Sequence, residues 1–332
     1  MLSKFLNPLV GLIILVFSIV LWLQRDEIRQ CLVGEVVVAE PLAVGTNVWP
    51  GYEPLYLARN LGYYNDSIRL VEYSSATEVL RAIRNKLIDV ATLTLDEVLL
   101  LRQSGVDVRI VLVTDISNGG DVIVARPGIE SLADLKGRKV GVESTALGAY
   151  VLTRALQKVG LTPADVQVVP IEVASHYMAY TDNVMDAVVT FEPVRSQLLR
   201  DGAHLVFDSS QIPGEIVDVV IVREEVLAGK EEQIQGLISG WFKALTYLSV
   251  NPNDASKRMT GRLNLSPEEV LASYEGLILP DPEGNLDMFD ESQALSLIQT
   301  AKNLTTIMIE ANLLDRSPNV LIAPQFVQDL KR

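Results

Sequence analysis

From Leu42 onward the apolar positions fall into short continuous runs separated by helically spaced ones. Leu42–Thr46, Ile68–Tyr73, Asp89–Thr94 and Val108–Thr114 read as strands. Between them Leu55–Gly62, Ala76–Lys86 and Asp96–Gln103 carry helical spacing, and Gly62 and Gly105 stop the first and last. Asp115–Asp121 interrupts this order, and Val122–Ala125 resumes it as a strand. Lys139–Val142, Val166–Ile171, Asp186–Phe191 and His204–Phe207 follow as strands, with helices predicted over Ala146–Val159, Ser175–Asn183 and Pro193–Arg200. Val217–Val222 reads as a return strand. Strands alternating with helices predict an α/β fold with parallel sheets built from βαβ units. After Glu224 helices dominate: Glu232–Leu248, Ser266–Tyr274 and Asp290–Ala311. Asp281–Asp287 reads as an acidic loop, because its glycine and glutamate do not fall where a calcium loop needs them.

The amino terminus has a different pattern. Leu9–Leu23 is uncharged, follows Lys4 and precedes Arg25. Extended back to Phe5, the run reaches about 28 Å as a helix, between a signal-peptide core and a full membrane span. Small residues suited to cleavage are absent from Gln24–Gln30, so an uncleaved anchor is preferred over a cleaved signal. A lipoprotein anchored at Cys31 is the third reading, on a poor motif match. With Lys4 inside, the globular part is exported.

Composition narrows the function. The 332 residues carry a formal net charge of −14, and no basic stripe is visible, which excludes nucleic acid as a partner. A single cysteine, Cys31, excludes an internal disulfide or a thiolate metal cluster. The two histidines, His176 and His204, stand far apart and show no metal spacing. His176 reads as a surface or capping residue, and Trp241 and Met288 read as core. No catalytic cluster emerges, so neither an enzyme nor a cofactor is expected.

Two stretches carry candidate chemistry. Val44–Tyr52 ends a strand in an aromatic loop, Asn-Val-Trp-Pro-Gly-Tyr, that feeds a helix. Ligands of open α/β sheets sit at such strand ends. Further on, Ile88-Asp-Val-Ala-Thr-Leu-Thr and Met185-Asp-Ala-Val-Val-Thr-Phe share one grammar of helix, Asp, buried strand and polar tip. Two similar lobes would offer Thr94 and Thr190-Phe191 to a shared cleft.

These stretches, together with Ser-Leu-Ala-Asp-Leu-Lys-Gly-Arg-Lys-Val-Gly-Val (131–142), Arg-Ala-Leu-Gln-Lys-Val-Gly-Leu (154–161) and Asp-Ala-Val-Val-Thr-Phe-Glu-Pro (186–193), carry a resemblance. In order and spacing the chain resembles the periplasmic solute-binding proteins of ABC importers, in the branch that includes sulfonate, taurine, nitrate and thiamine-pyrimidine binders. The resemblance runs from about Ala43 to Leu227. It implies a type II periplasmic-binding-protein fold: two Rossmann-like lobes, two hinge strands and a helical tail. Residues 1–39 would be leader or anchor plus linker, 40–120 with 218–332 the first lobe, and 121–217 the second. It further implies a monomer in the periplasm, a small-molecule ligand, and an ABC permease and ATPase as partners; the apolar run at the amino terminus adds tethering to the inner membrane through residues 5–23.

By position in that family, Asn47, Trp49, Gly51 and Tyr52 line one wall, and Thr94 and Asp96 follow the third strand. Ser117, Asn118 and Gly119 lie beside the first crossover. Ser144, Thr145 and Ala146 open a helix whose N–H groups could meet an anionic head or a carbonyl. Thr190, Phe191 and Glu192 close the far side. For Ser144 and Thr145 plain helix capping competes, and for Glu192 a charge favouring the helix dipole. Asp121 is either a partner for a ligand amine or a solvated strand end. A membrane-tethered sensor and a pyrimidine-synthesising enzyme are the alternative functions; the cysteine-rich motif of that enzyme is missing here. The ligand stays open between an anion and a flat heterocycle.

Overall fold

The chain is described from a computed structural model that covers residues 40–143 and 146–331. The apolar run 5–23, Cys31, Ser144 and Thr145 lie outside the described residues. Eleven strands are assigned within them: β1 (Leu42–Thr46), β2 (Ile68–Glu72), β3 (Val90–Thr94), β4 (Val108–Ser117), β5 (Val122–Ala125), β6 (Lys139–Val142), β7 (Gln167–Pro170), β8 (Ala187–Thr190), β9 (His204–Asp208), β10 (Val217–Arg223) and β11 (Leu277–Ile278). They form two sheets, ordered β11-β4-β10-β3-β1-β2 and β7-β6-β8-β5-β9.

The sheets are mixed, not parallel throughout as expected. In the first, β1 runs parallel to β2 and β3, but β10 runs antiparallel to β3 and β4. In the second, β6 runs parallel to β7 and β8, and β5 runs antiparallel to β8 and β9. The reason is the crossing of the chain. β5 enters the second sheet from the first, and β10 returns to the first, so each meets a βαβ unit head to tail. β1, β3 and β5 are buried along their whole length, which explains their unbroken apolar runs.

The helices cover these sheets through apolar stripes. Ala76–Arg84 is begun by Ser75, whose hydroxyl accepts the Glu78 N–H at 3.3 Å, and buries Val79, Leu80, Ala82 and Ile83. The long helix Glu231–Val250 buries Ile234, Leu237, Ile238 and Trp241. Gly240 on it is held against the Tyr64 ring, where a Cβ would lie 2.1 Å from a ring carbon. Trp241 is core as expected, and Met288 is partly buried against the same core.

The tail differs from the sequence reading in three places. Pro252–Leu263, between two of the expected helices, is a further helix opened by proline in its first turn. Asp281–Asp287 is no loop: Asp281 accepts the Gly284 N–H at 2.8 Å and starts the helix Pro282–Phe289, a cap followed by proline and an acid in the first turn. The next helix begins at Leu297, not Asp290, because Ser296 caps it. Buried Asn285 ties this tail to the first sheet. Its amide accepts from Val113 N at 2.7 Å and donates to Val113 O at 3.1 Å, as a neighbouring strand would.

His176 is also not at the surface. It is fully buried on Val173–Thr181, with Nδ1 3.2 Å from Thr190 Oγ1 and Nε2 3.2 Å from Ile171 O. Burial lowers its pKa to about 4, so it is neutral and joins helix to β8 by hydrogen bonds alone.

Asp89, just before β3, joins three elements. It accepts from Ala43 N at 3.1 Å, Arg223 Nη2 at 3.0 Å and Lys230 Nζ at 2.7 Å. Burial alone would raise its pKa; the Lys230, Ala43 and Arg223 hydrogen bonds outweigh it and hold the carboxyl low. Asp89→Ala should cost roughly 1–3 kcal/mol at pH 7 in urea unfolding. That difference should shrink as the pH falls below the ordinary aspartate range, since a depressed carboxyl loses its contribution on protonation. An equal cost at pH 3 and pH 7 would show that the ion pairs are not what Asp89 contributes.

Candidate functional site

The loop after β1 is built around one buried carboxylate. Trp49 Nε1–H donates to both oxygens of Asp115 on β4, at 3.3 Å each. Gly51 sits so close that a Cβ there would lie 2.0 Å from Asp115 Oδ2 and 2.4 Å from Trp49 Nε1, so only glycine lets the loop lie over β4. Tyr52, in the 3-10 turn Pro50–Tyr52, donates its hydroxyl to Asp218 at the start of β10. Tyr274 Oη donates to Pro50 O at 2.9 Å and holds the turn from the tail side.

Register brings two further aspartates to the same place. Asp218 pairs with Thr94 at the tip of β3, and Val122 pairs with Thr190 at the tip of β8. The residue before Val122 is Asp121. So the two similar strand tips each lie beside a crossing strand, and each crossing strand carries an aspartate at its end. Asp218 is also opposite Asp115 on β4, two acids in direct cross-strand register.

Together these groups enclose a cleft of about 350 Å³ of empty volume, part of it open to solvent. Asn47, Trp49, Tyr52, Thr94, Glu97 and Asp218 line it from the first lobe. Glu143, Leu147 and Phe191 line it from the second, and Asp121 lines it at the crossing. Trp49 and Phe191 meet across it edge to face, 5.4 Å between ring centroids and 88° between planes.

The expected site residues therefore divide. Asn47, Trp49, Tyr52, Thr94 and Phe191 line the cleft. Gly51 is buried against Asp115 and takes no part in the lining. Ser117, Asn118 and Gly119 build the crossing instead. Ser117 Oγ pairs with Ser209 Oγ at 2.8 Å and accepts the Asp121 N–H at 3.1 Å. Gly119 N–H donates to Ser209 Oγ at 2.6 Å, and exposed Asn118 uses its N–H on Gly276 O at 2.8 Å. Thr190 is turned to His176. Glu192 caps the helix Val194–Arg200, accepting from Ser196 N at 3.1 Å, Ser196 Oγ at 3.0 Å and Arg195 Nη1 at 3.3 Å. Ala146 is the first residue of its helix. The structure adds Glu97, Glu143 and Asp218, and it places Asp121, for which a ligand amine and solvent were both open, in the lining. Their only signal in the sequence was an acid at or near the end of a strand, which usually faces solvent.

Burial acts on all of these acids. It pushes Asp121 from 3.8 up to about 7, over the Ser117 hydrogen bond that opposes the shift. It pushes Glu143 from 4.5 up to about 7, helped by repulsion from Glu172. Asp218 is raised well above the carboxylate range by burial and then by Asp115, and Glu97 by burial and then by Asp96 and Glu143. The cleft therefore holds protons at pH 6 that its acids would release in water.

Comparison with known proteins agrees with this architecture. The family model described as NMT1/THI5 like matches residues 49–255. A Brucella abortus protein described only as a binding protein is 27% identical over 139 residues, 41% of this chain and 44% of that one. The chain thus spans less than half the length of the curated relatives it first matches. The structure of the periplasmic aliphatic sulphonate-binding protein of Escherichia coli superposes with a TM-score of 0.68 at 19% identity, covering 85% of this chain and 96% of that one. The desulfurization enzyme DSZB superposes at 0.64 and 17% identity, covering 86% and 98%. At such identities the likeness is one of fold, and the fold serves more than one chemistry.

The raised acids set the pH dependence of the ligand-free protein. A carboxyl whose folded pKa lies above its unfolded value holds an extra proton when folded, so stability falls as pH rises between the two. For Asp121 and Glu143 that window runs from about 4 to about 7. The melting temperature of the ligand-free chain should drop by several degrees from pH 5 to pH 7.5. Asp121→Asn should flatten the slope and raise the value at pH 7.5. A melting temperature that climbs over this range would contradict the assignment.

Proposed function

The chain belongs to the NMT1/THI5-like family, and we propose that it is an extracytoplasmic solute-binding protein: it captures a small solute between its two lobes and delivers it to an ABC permease and ATPase. The observation that carries this reading is the cleft itself. Its walls come from both lobes, meet at Trp49 and Phe191, and close over carboxyls of Glu97, Asp121 and Glu143 that each keep one oxygen without a donor among the described residues. The moving bodies are 40–120 with 218–332 on one side and 121–217 on the other. The chain bends at the two crossings, where Gly119 has φ +119 and packs against Gly276. The periplasmic sulphonate-binding neighbour supports the location and the transport role.

No cysteine or histidine is among the described residues lining the cleft, which favours capture over covalent chemistry. Among the described residues no helix is long and apolar enough to cross a membrane. The tether to the inner membrane is assigned to residues 5–23, which precede them. Recovery of the chain from the soluble periplasmic fraction would remove the tether and leave the binding role intact.

Phe191 and Trp49 separate binding from packing. Phe191 is partly buried and belongs to the second lobe, so Phe191→Ala should weaken solute binding about tenfold, or about 1.4 kcal/mol, with little change in melting temperature. Trp49 is buried and bonded to Asp115, so Trp49→Ala should also destabilise the fold by roughly 3–5 kcal/mol. Native mass spectrometry of the full chain, after exposure to a metabolite extract, should find one small molecule retained by the wild type and lost from Phe191→Ala. Uptake of that molecule by cells should fail when the chain is deleted. A chain that retains nothing, or retains equally in both forms, would overturn the reading.

A further inference from the structure

Four carboxylic acids line the cleft: Glu97, Asp121, Glu143 and Asp218. Glu97, Asp121 and Glu143 are 1%, 3% and 6% exposed. One oxygen on each, Oε1, Oδ2 and Oε1 in turn, meets no hydrogen-bond donor among the described residues. A buried carboxylate oxygen normally collects donors, because leaving it bare forfeits its hydration without return. No lysine, arginine or histidine is among the described lining residues. Arg154 pairs with Glu215, and Arg195 pairs through Nη1 with Glu192, while its buried Nε–H meets no acceptor among the described residues; neither arginine lines the cleft. The other walls include Trp49, Tyr52 and Phe191, rings whose faces attract positive charge.

Resting on the reading of this cleft as a solute site, we propose that the solute is a small organic cation bearing N–H donors, an ammonium or an amidinium, held by Glu97, Asp121 and Glu143. Such a group brings both things the cleft lacks: donors for the bare oxygens and charge to offset the acids. A sulfonate or nitrate brings neither; it adds acceptors and like charge. The three acids stand on different parts of the fold. Glu97 is in the first turn of Leu95–Gln103, Asp121 is at the crossing, and Glu143 follows β6 of the second lobe. A cation held by all three joins the lobes, which is what a closing ligand must do. Among the described residues no three His, Cys, Asp or Glu side chains are grouped to hold a metal ion, so the charge is assigned to an organic group. The little space left between the lobes limits it to a small one.

The test uses the purified full chain, followed by thermal shift and tryptophan fluorescence. The probes are putrescine, agmatine and benzamidine against butanesulfonate and nitrate. At least one cation should raise the melting temperature and titrate the fluorescence, and the two anions should do neither. Glu97→Gln and Asp121→Asn should each weaken that cation by about tenfold or more. Their ligand-free melting temperatures should be unchanged or higher, which separates lost binding from lost fold. A response to an anion alone overturns the cation and leaves the solute-binding role standing. A cation whose affinity both variants leave unchanged overturns the site. Silence from every probe overturns the cation assignment, and if no metabolite is retained either, the solute-binding role falls with it.

Discussion

Acids buried without cations are the constraint around which the centre of this molecule is arranged. Asp115 cannot face Asp218 across β4 and β10 with both ionised, so the loop after β1 supplies donors to each: the Trp49 indole to one and the Tyr52 hydroxyl to the other. The loop can reach them only because position 51 is glycine. The aromatic wall of the cleft is thus a consequence of how two acids are accommodated one layer below it. Trp49 serves both purposes at once, which is why its packing and its lining of the cleft cannot be assigned to separate faces of the ring.

The crossings repeat one device in both lobes. A βαβ unit ends in a threonine-tipped strand, and a strand arriving from the other lobe lies antiparallel beside that tip. Thr94 meets Asp218, and Thr190 meets Val122, next to Asp121. The acid of each crossing strand is thereby delivered to the cleft by register alone. The hydroxyl of Ser209 then gathers Ser117 and Gly119 at the outgoing crossing, and Gly276 comes within van der Waals distance of Gly119 and Gly120. The crossing is narrow and glycine-rich where the chain bends, and held by the Ser117, Gly119 and Ser209 hydrogen bonds just beside it.

Much of the fold was legible because its central strands are buried on both faces and read as apolar runs with turn signals at their ends. Leu42–Thr46, Val122–Ala125 and Lys139–Val142 begin and end where the runs do. The aromatic loop and the Thr94 and Phe191 tips were legible for the same reason, since strand ends locate a site. The acids were not. Glu97 in the first turn of a helix looks like a charge favouring the dipole, and Asp218 at a strand start looks solvated. Only register reveals that Asp218 lies between Thr94 and Asp115. Ser117, Asn118 and Gly119 fall outside the cleft lining. Proximity to the crossover suggested a cleft, but their hydrogen bonds are spent on holding the crossover together. His176 failed for a simpler reason: a lone histidine on a weakly amphipathic helix gives no sign that Thr190 and Ile171 O wait on the buried side.

Closure of the lobes and occupancy of the cleft are linked through these same acids. Bringing Phe191 and Glu143 against Trp49 and Glu97 removes water from carboxylates on both sides. With nothing between them, the closed state must take up protons or bear the repulsion, and burial raises the pKa of each acid accordingly. A cation removes the need for either. The term that penalises the empty closed state is then the term that favours the filled one, and the differential affinity needed for a ligand to shift a two-state equilibrium is built into the walls. A receptor with cationic walls for anions could work by the same logic with the signs reversed. The sign in this chain is set by Glu97, Asp121, Glu143 and Asp218, and the fold it shares with sulphonate-binding proteins leaves that sign free.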